Sequence, residues 1–109
     1  MCLLYLSIIK IVSDGPYEIN IIPSGNVIQV ENDSLILTCD ATCNPHCQYN
    51  WVKDGQQVGD RDTLEFTSIR RSNHGSYRCR ASNNIGSDQY KDVFIEVQCK
   101  YVFIVALNT

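Results

Sequence analysis

Short runs of alternating apolar and polar residues fill the middle of the chain, and turn-forming residues separate them. Leu35 and Leu37 lie two residues apart, as do Leu64 and Phe66, so each pair shares one face of an extended strand. Between residues 16 and 98 no window keeps the period of about 3.6 that a helix requires. With a turn signal every eight to twelve residues or so, the pattern predicts seven or eight short strands and an all-β sandwich.

The later runs place charged and aromatic side chains opposite an apolar face. Tyr77 and Cys79 point to one side of their strand, and Arg78 and Arg80 point to the other. Phe94 lies opposite the apolar residues at positions 93, 95 and 97, so the alternation places it outward. These outward residues are candidates for contacts with a partner.

Composition narrows the class of protein. A chain of 109 residues is long enough for one domain. Its net charge of −3 gives no signal for nucleic acid. Six cysteines in so short a chain indicate an oxidising, extracellular setting or a metal site. His74 is the one plausible lone base, and we interpret it as a turn residue. The sequence contains no catalytic constellation and no cofactor motif, so we do not expect an enzyme.

The two ends differ from the middle. Residues 1–15 contain an apolar stretch, Met1–Val12, that is too short for a membrane span and suits either a signal-like segment or the last strand of a preceding domain. Residues 99–109 form an apolar tail that a truncation could explain, and no complete membrane span is present. We therefore expect the domain to cover residues 16–98.

Several stretches together resemble an immunoglobulin domain of the I-set or C2 type. They are Trp51–Gly55, Leu64–Ile69, Asn73–Cys79 and Cys79–Gly86, which are similar to the family's C, E and F strands and its F–G turn. Only about 28 residues separate Trp51 from Cys79, which leaves little room for the extra strand of variable-type domains. One departure is Asn73, where the family usually has an aspartate that often pairs with an arginine at a position Arg61 could occupy.

The resemblance implies a two-sheet antiparallel Greek-key sandwich with a core disulfide between Cys39 and Cys79. Trp51 would cover the sulfur pair, and Tyr77 would be the tyrosine corner, whose hydroxyl bonds back to the backbone. Such a bridge closes a loop of about 40 residues and would contribute about 4 kcal/mol in the chain-entropy model. Leu64 and Phe66 would complete this core.

Cys43 and Cys47 flank a short loop that also contains His46. One interpretation is a metal site, but a structural zinc needs four ligands, and the nearest other candidates are Cys39 and His74. The favoured interpretation is a local disulfide that stiffens the loop, and a stiff loop loses less entropy when it binds a partner.

Three further residues bear on the extracellular setting. Cys2 and Cys99 remain after the other pairs are assigned; they could pair with each other, or Cys2 could be removed with a signal while Cys99 stays free or bonds another chain. Asn32 begins the sequon Asn-Asp-Ser in a predicted turn and is a glycosylation candidate.

The sequence therefore predicts a non-catalytic extracellular recognition module of a cell-adhesion or immune-type receptor. Arg78, Arg80 and Phe94, on the face of the C, F and G strands, are the candidate binding residues for a protein partner, homophilic or heterophilic; an acidic glycan is a further candidate ligand. Neighbouring immunoglobulin domains are expected in a longer chain. The alternative is a structural spacer in a matrix or muscle-type array.

Overall fold

Eight strands form two sheets around a common core in the computed structural model, which describes residues 14–99. A single 3₁₀ turn, Arg71–Asn73, is the only helical element among these residues. The strands are β1 Asp14–Ile22, β2 Asn26–Val30, β3 Leu35–Asn44, β4 Gln48–Lys53, β5 Gln56–Gly59, β6 Thr63–Phe66, β7 Gly75–Ser82 and β8 Gln89–Gln98.

One sheet has three strands in the order β1-β3-β6, and the other has five in the order β2-β8-β7-β4-β5. All neighbouring strands are antiparallel except β2 and β8, which run parallel. The parallel pair is a detail that the predicted antiparallel Greek-key sandwich left unspecified. It arises because the chain changes sheet after β1, at residues 23–25, and so runs along β8 instead of β3. The two-sheet sandwich itself is confirmed.

The core follows from the alternation along each strand. Leu35 and Leu37 of β3 are buried while Ile36 between them is half exposed, as side chains that alternate across a sheet must be. Leu64 and Phe66 of β6 are partly buried and pack against this core. Ile69, in the connection after β6, is fully enclosed. The fully enclosed side chains from the two sheets include Leu37, Cys39, Trp51, Tyr77, Cys79, Val93 and Ile95.

A disulfide between Cys39 and Cys79 joins the two sheets across the core, with the Cα atoms 6.5 Å apart. Trp51 lies opposite Cys79 in the β4–β7 register and is fully buried. The ring of Tyr77 meets that of Phe66 edge to face, with centroids 5.7 Å apart. The Tyr77 hydroxyl donates a hydrogen bond of 2.6 Å to the Asn73 carbonyl, which is the backbone contact predicted for the tyrosine corner.

The turn at Asp54 and Gly55 shows how local sequence directs the fold. Both residues have positive φ angles, 53° and 77°, and they join β4 to β5 as a two-residue hairpin. Such hairpins favour Asp-Gly because the glycine accepts a positive φ at little cost. After β5 the chain crosses to the three-stranded sheet through residues 60–62. The residues of β4 that precede Trp51 therefore have no pairing partner in β5.

The first strand contacts the loop between β7 and β8 at Gly15 and Gly86. A Cβ atom at Gly15 would lie 2.5 Å from the Cα of Gly86, a separation that real Cβ atoms do not show. Glycine at this position therefore lets two backbones meet.

The first strand, β1, begins at Asp14, two residues before the predicted start of the domain at residue 16. The last strand, β8, ends at Gln98, the predicted end.

Several predictions concern residues outside the described part of the chain. The signal-like or preceding-strand segment lies almost entirely in residues 1–13, and the apolar tail in residues 100–109. Cys2 also lies there, so both alternatives for it, pairing with Cys99 or removal with a signal, stay predictions. Among residues 14–99, no helix is long and apolar enough to cross a membrane.

Candidate recognition surfaces

The outer face of the five-stranded sheet carries the arginines that the sequence singled out, and both have acidic partners. Arg78 Nε lies 2.8 Å from Asp92 Oδ1 and its Nη2 lies 3.2 Å from Oδ2, a two-pronged contact between β7 and β8. Arg80 Nε lies 2.8 Å from Asp88 Oδ2. Two of the predicted basic groups are thus balanced within the domain, and they form no free basic patch.

The Arg78–Asp92 pair has the electrostatics of a matched ion pair. The hydrogen bonds from Arg78 hold the pKa of the Asp92 carboxyl below its ordinary value, and those to Asp92 raise the pKa of the Arg78 guanidinium. Both side chains are about half exposed, at 56% and 51%, so water screens the pair and its contribution to stability is small. Its main effect is to hold the arginine in one position over the sheet.

Aromatic and aliphatic side chains lie on the same sheet face as this ion pair. Arg78 lies over the ring of Tyr90, with 5.5 Å between the guanidinium carbon and the ring centroid. Phe94 meets the ring of His74 edge to face at 5.2 Å. Ile28 of β2 lies diagonally beside Phe94 and is 56% exposed. We call the four residues Ile28, Arg78, Tyr90 and Phe94 the outer patch.

The sequence identified two of these four residues. It missed Tyr90 and Ile28, although alternation along β8 and β2 could have placed both outward. The contribution of Ile28 to this surface depends on the parallel pairing of β2 with β8, which the sequence did not indicate. Such a mixture of aromatic rings, an arginine and an aliphatic side chain is typical of the residues that dominate protein–protein binding energies.

The 43–47 loop between β3 and β4 is closed by a disulfide between Cys43 and Cys47, whose Cα atoms lie 5.6 Å apart. The bridge leaves neither sulfur as a thiolate for a metal, and residues 14–99 contain no group of three or more metal-ligating side chains. Asn83, before the β7–β8 turn, donates a hydrogen bond of 3.1 Å to the Pro45 carbonyl. This bond, which the sequence did not predict, ties the two loops at this end together.

A cleft of about 720 Å³ opens beside the 43–47 loop. The hydroxyl of Tyr49, in its wall, accepts a hydrogen bond of 3.1 Å from the Ala41 amide and so connects β4 to β3. We call this hollow the β4 cleft. Its lining comprises His46, Cys47, Gln48, Tyr49, Asn50, Asp60, Arg61, Asp62, Arg80 and Ser82.

Two positions near the other end of the sandwich take structural roles. Asn73 Oδ1 accepts a hydrogen bond of 2.8 Å from the Arg70 amide, so the residue that replaces the family's aspartate caps the 3₁₀ turn. His74 Nδ1 accepts a hydrogen bond of 3.2 Å from the Val97 amide, which fixes the histidine against β8.

The glycosylation candidate Asn32 is exposed in the turn after β2, with a φ of 77°.

Comparison with known proteins agrees with this geometry. The model of the immunoglobulin domain family matches residues 18–83, which is more than half of the chain. The chain therefore belongs to the immunoglobulin domain family. The matched range contains Cys39 and Cys79, which form the disulfide between the sheets, and the buried Trp51.

Two relatives show how small a part of a longer protein this domain resembles. Mouse hemicentin-2 is 38% identical over 73 residues, covering 63% of this chain and 1% of the relative. Drosophila protein sidekick is 42% identical over 67 residues, covering 59% of this chain and 3% of the relative. The chain thus spans only a few per cent of the length of these relatives.

Solved structures with the same fold include a complex of two immunoglobulin proteins. The structure of Dpr2 with DIP-Theta matches with a TM-score of 0.68 and 26% identity, over 79% of this chain and 33% of the other. The insect immune protein hemolin matches with a TM-score of 0.65 over 76% of this chain and 25% of the other. Its 20% identity shows the fold alone.

Proposed function

We propose that this domain is a non-catalytic extracellular module that binds protein partners in cell adhesion, through the outer patch. The observation that carries the proposal is the arrangement of that patch. It combines a fixed arginine, two exposed aromatic rings and an isoleucine on one sheet face. Because the Arg78–Asp92 pair already fixes the arginine, binding a partner would cost little further side-chain entropy.

The extracellular setting is part of the same proposal. Four cysteines of residues 14–99 form two disulfides, and such bonds persist in oxidising compartments. One relative is the rat MAM domain-containing glycosylphosphatidylinositol anchor protein 2, which is 36% identical over 75 residues. The match covers 62% of this chain and 8% of the relative. The relative's name describes a membrane anchor. We extend a cell-surface or secreted location to this chain on these two grounds.

The kind of partner follows from the charge of the patch. An acidic glycan would need free cationic groups, and Arg78 and Arg80 instead have carboxylate partners within the domain. A protein surface with apolar and aromatic residues fits better, either a second copy of this module or another immunoglobulin domain. Dpr2 and DIP-Theta, which share this fold, form a complex with each other.

Asn32 is the proposed glycosylation site. It is exposed and follows β2 in a turn whose backbone bonds to Ile69. In protein secreted from animal cells, we expect treatment with peptide N-glycosidase to lower the mass by that of one glycan, and Asn32→Gln protein to show no such change. A wild-type mass equal to that of the bare polypeptide would refute this assignment.

A bead-aggregation assay tests the binding proposal. Beads coated with the domain are mixed with themselves and with beads that carry other extracellular immunoglobulin domains. We expect clusters with wild-type protein and at least about tenfold fewer with Tyr90→Ala plus Phe94→Ala, since hot-spot aromatics each contribute 2 kcal/mol or so. The control is Tyr17→Ala plus Ile36→Ala, two exposed residues of the opposite sheet.

The competing function is a structural spacer in a multi-domain array. It is favoured by the relatives, which are far longer than this chain and so contain much besides one such domain. A spacer would give no clusters with any partner beads, whether wild type or variant. Equal clustering by the outer-patch variant and the control would instead show binding at another surface.

A further inference from the structure

The β4 cleft contains a stretch of strand with one open edge. Residues 48–50 of β4 pair with β7 on one side. On the other side, pairing with β5 starts only at Trp51, opposite Gly59. Among the described residues no strand lies beside Gln48, Tyr49 and Asn50 on that side. Backbone groups on an open edge can accept a further strand.

The open edge and the cleft have a common cause. After Gly59 the chain leaves the five-stranded sheet, and the carbonyl of Asp62 already accepts a hydrogen bond of 2.8 Å from the amide of Cys39 in the other sheet. Residues 60–62 therefore diverge from β4 and form the far wall of the cleft. The space between is open to solvent and has the backbone of β4 along one side.

The cleft is held in shape by the bonds around it. The Cys43–Cys47 disulfide closes the 43–47 loop, which borders the cleft at Cys47. The hydrogen bond from Ala41 to the Tyr49 hydroxyl fixes the wall, and Asp88 fixes Arg80 at the floor. A site that is already shaped before binding loses less entropy when a ligand enters.

The charges that line the cleft favour a cationic side chain. Asp60 and Asp62 are exposed on one wall. Arg80 is balanced by Asp88, which leaves Arg61 as the remaining cation of the lining against two carboxylates. The local field is therefore negative, and a lysine or arginine of a ligand would find carboxylate oxygens within the cleft.

We propose that the β4 cleft binds an extended peptide segment of a partner protein, which adds as a strand to residues 48–50 and places a lysine or arginine between Asp60 and Asp62. Strand addition gives affinity through the main chain, while a side-chain pocket gives specificity. The site shares no residue with the outer patch, although Arg80 at its floor lies opposite Tyr90 in the β7–β8 register, and neither proposal depends on the other.

The test uses two model peptides and the bacterially produced domain. One peptide is the acetylated, amidated sequence Thr-Val-Thr-Lys-Thr-Val-Thr, and the other has Glu in place of Lys. Both suit a strand because their residues favour extended backbone. Backbone amide shifts of the ¹⁵N-labelled domain are followed up to about 1 mM peptide, the range of weak contacts.

We expect the lysine peptide to shift the amides of residues 48–50 and 60–62 and to bind at least about fivefold more tightly than the glutamate peptide. Asp60→Asn plus Asp62→Asn should remove that preference. Asp33→Asn plus Glu65→Gln, which neutralises two exposed carboxylates elsewhere, should keep it. Tyr90→Ala plus Phe94→Ala should also keep it, which separates this site from the outer patch.

Three results would overturn the proposal. They are the absence of shifts at about 1 mM lysine peptide, shifts centred outside residues 48–50 and 60–62, and equal affinity for the two peptides. None of these bears on the bead-aggregation test, because that assay depends on residues outside the cleft.

Discussion

The hydroxyl of Tyr77 and the carbonyl of Asn73 are 2.6 Å apart, and this hydrogen bond ties β7 to the 3₁₀ turn that precedes it. The same turn is capped by the Asn73 side chain through the Arg70 amide. Asn73 thus accepts one hydrogen bond through its backbone carbonyl and a second through its side-chain oxygen. The connection from β6 to β7 is fixed by this pair of contacts.

Removing the Tyr77 hydroxyl should destabilise the domain. In Tyr77→Phe the ring still packs against Phe66, but the Asn73 carbonyl loses its partner. We expect the free energy of unfolding in urea to fall by about 1–2 kcal/mol. Tyr90→Phe, which changes an exposed ring on the outer patch, is the control and should change it by less than about 0.5 kcal/mol. Equal effects would show that the Tyr77 bond adds nothing.

Alkaline pH should weaken the fold through the same residue. Burial raises the pKa of Tyr77 from 10.0 to about 12. Between these two values the unfolded chain loses the phenolic proton while the folded domain keeps it, so stability falls as pH rises. We expect the unfolding free energy of the wild type to fall more steeply from pH 10 to pH 12 than that of Tyr77→Phe. Parallel slopes would contradict this expectation.

The contact between Gly15 and Gly86 leaves no space for a side chain. In Gly15→Ala the new methyl would meet the Gly86 backbone, so β1 and the β7–β8 loop must separate. We predict a loss of about 1–3 kcal/mol in thermal or urea unfolding, typical of overpacking. Ser87→Ala, an exposed change in the same loop, should have little effect. If Gly15→Ala is as stable as wild type, the backbones are not in contact.

The two disulfides should differ in their contribution to stability. The Cys39–Cys79 bridge has a sequence separation of 40 and the Cys43–Cys47 bridge one of 4. In the chain-entropy model the longer loop contributes about 4 kcal/mol and the shorter about 2 kcal/mol. Replacing Cys43 and Cys47 with serine should therefore leave a folded domain of lower urea midpoint, while Cys39→Ala plus Cys79→Ala should lower it much further. The reverse order would contradict the assignment of the core bridge.

The sequence predicted the sandwich because its information is local. A period of two decides which residues of a strand face inward, and Leu35, Leu37 and Tyr77 follow it. The Asp54–Gly55 hairpin is likewise encoded in two adjacent residues. The tyrosine corner could be placed through the family resemblance, since it lies two residues before Cys79.

The surfaces were less predictable because they depend on register and on where the chain changes sheet. Arg78 meets Asp92, 14 residues away, only because β7 and β8 pair in one particular register. The β4 cleft exists because residues 60–62 leave one sheet for the other. Neither relationship has a signal in the residues nearby, so the sequence indicated neither the Arg78–Asp92 pair nor the cleft.

The most direct test of the central claim is a comparison of two added glycans in the bead-aggregation assay. Glu96→Asn plus Gln98→Thr creates a glycosylation sequon on β8, on the outer face beside Ile28. Asp40→Asn creates one with Thr42 on the opposite sheet, where both residues are exposed. We expect the first glycan to abolish clustering and the second to leave it intact, and the opposite result would contradict binding through the outer patch.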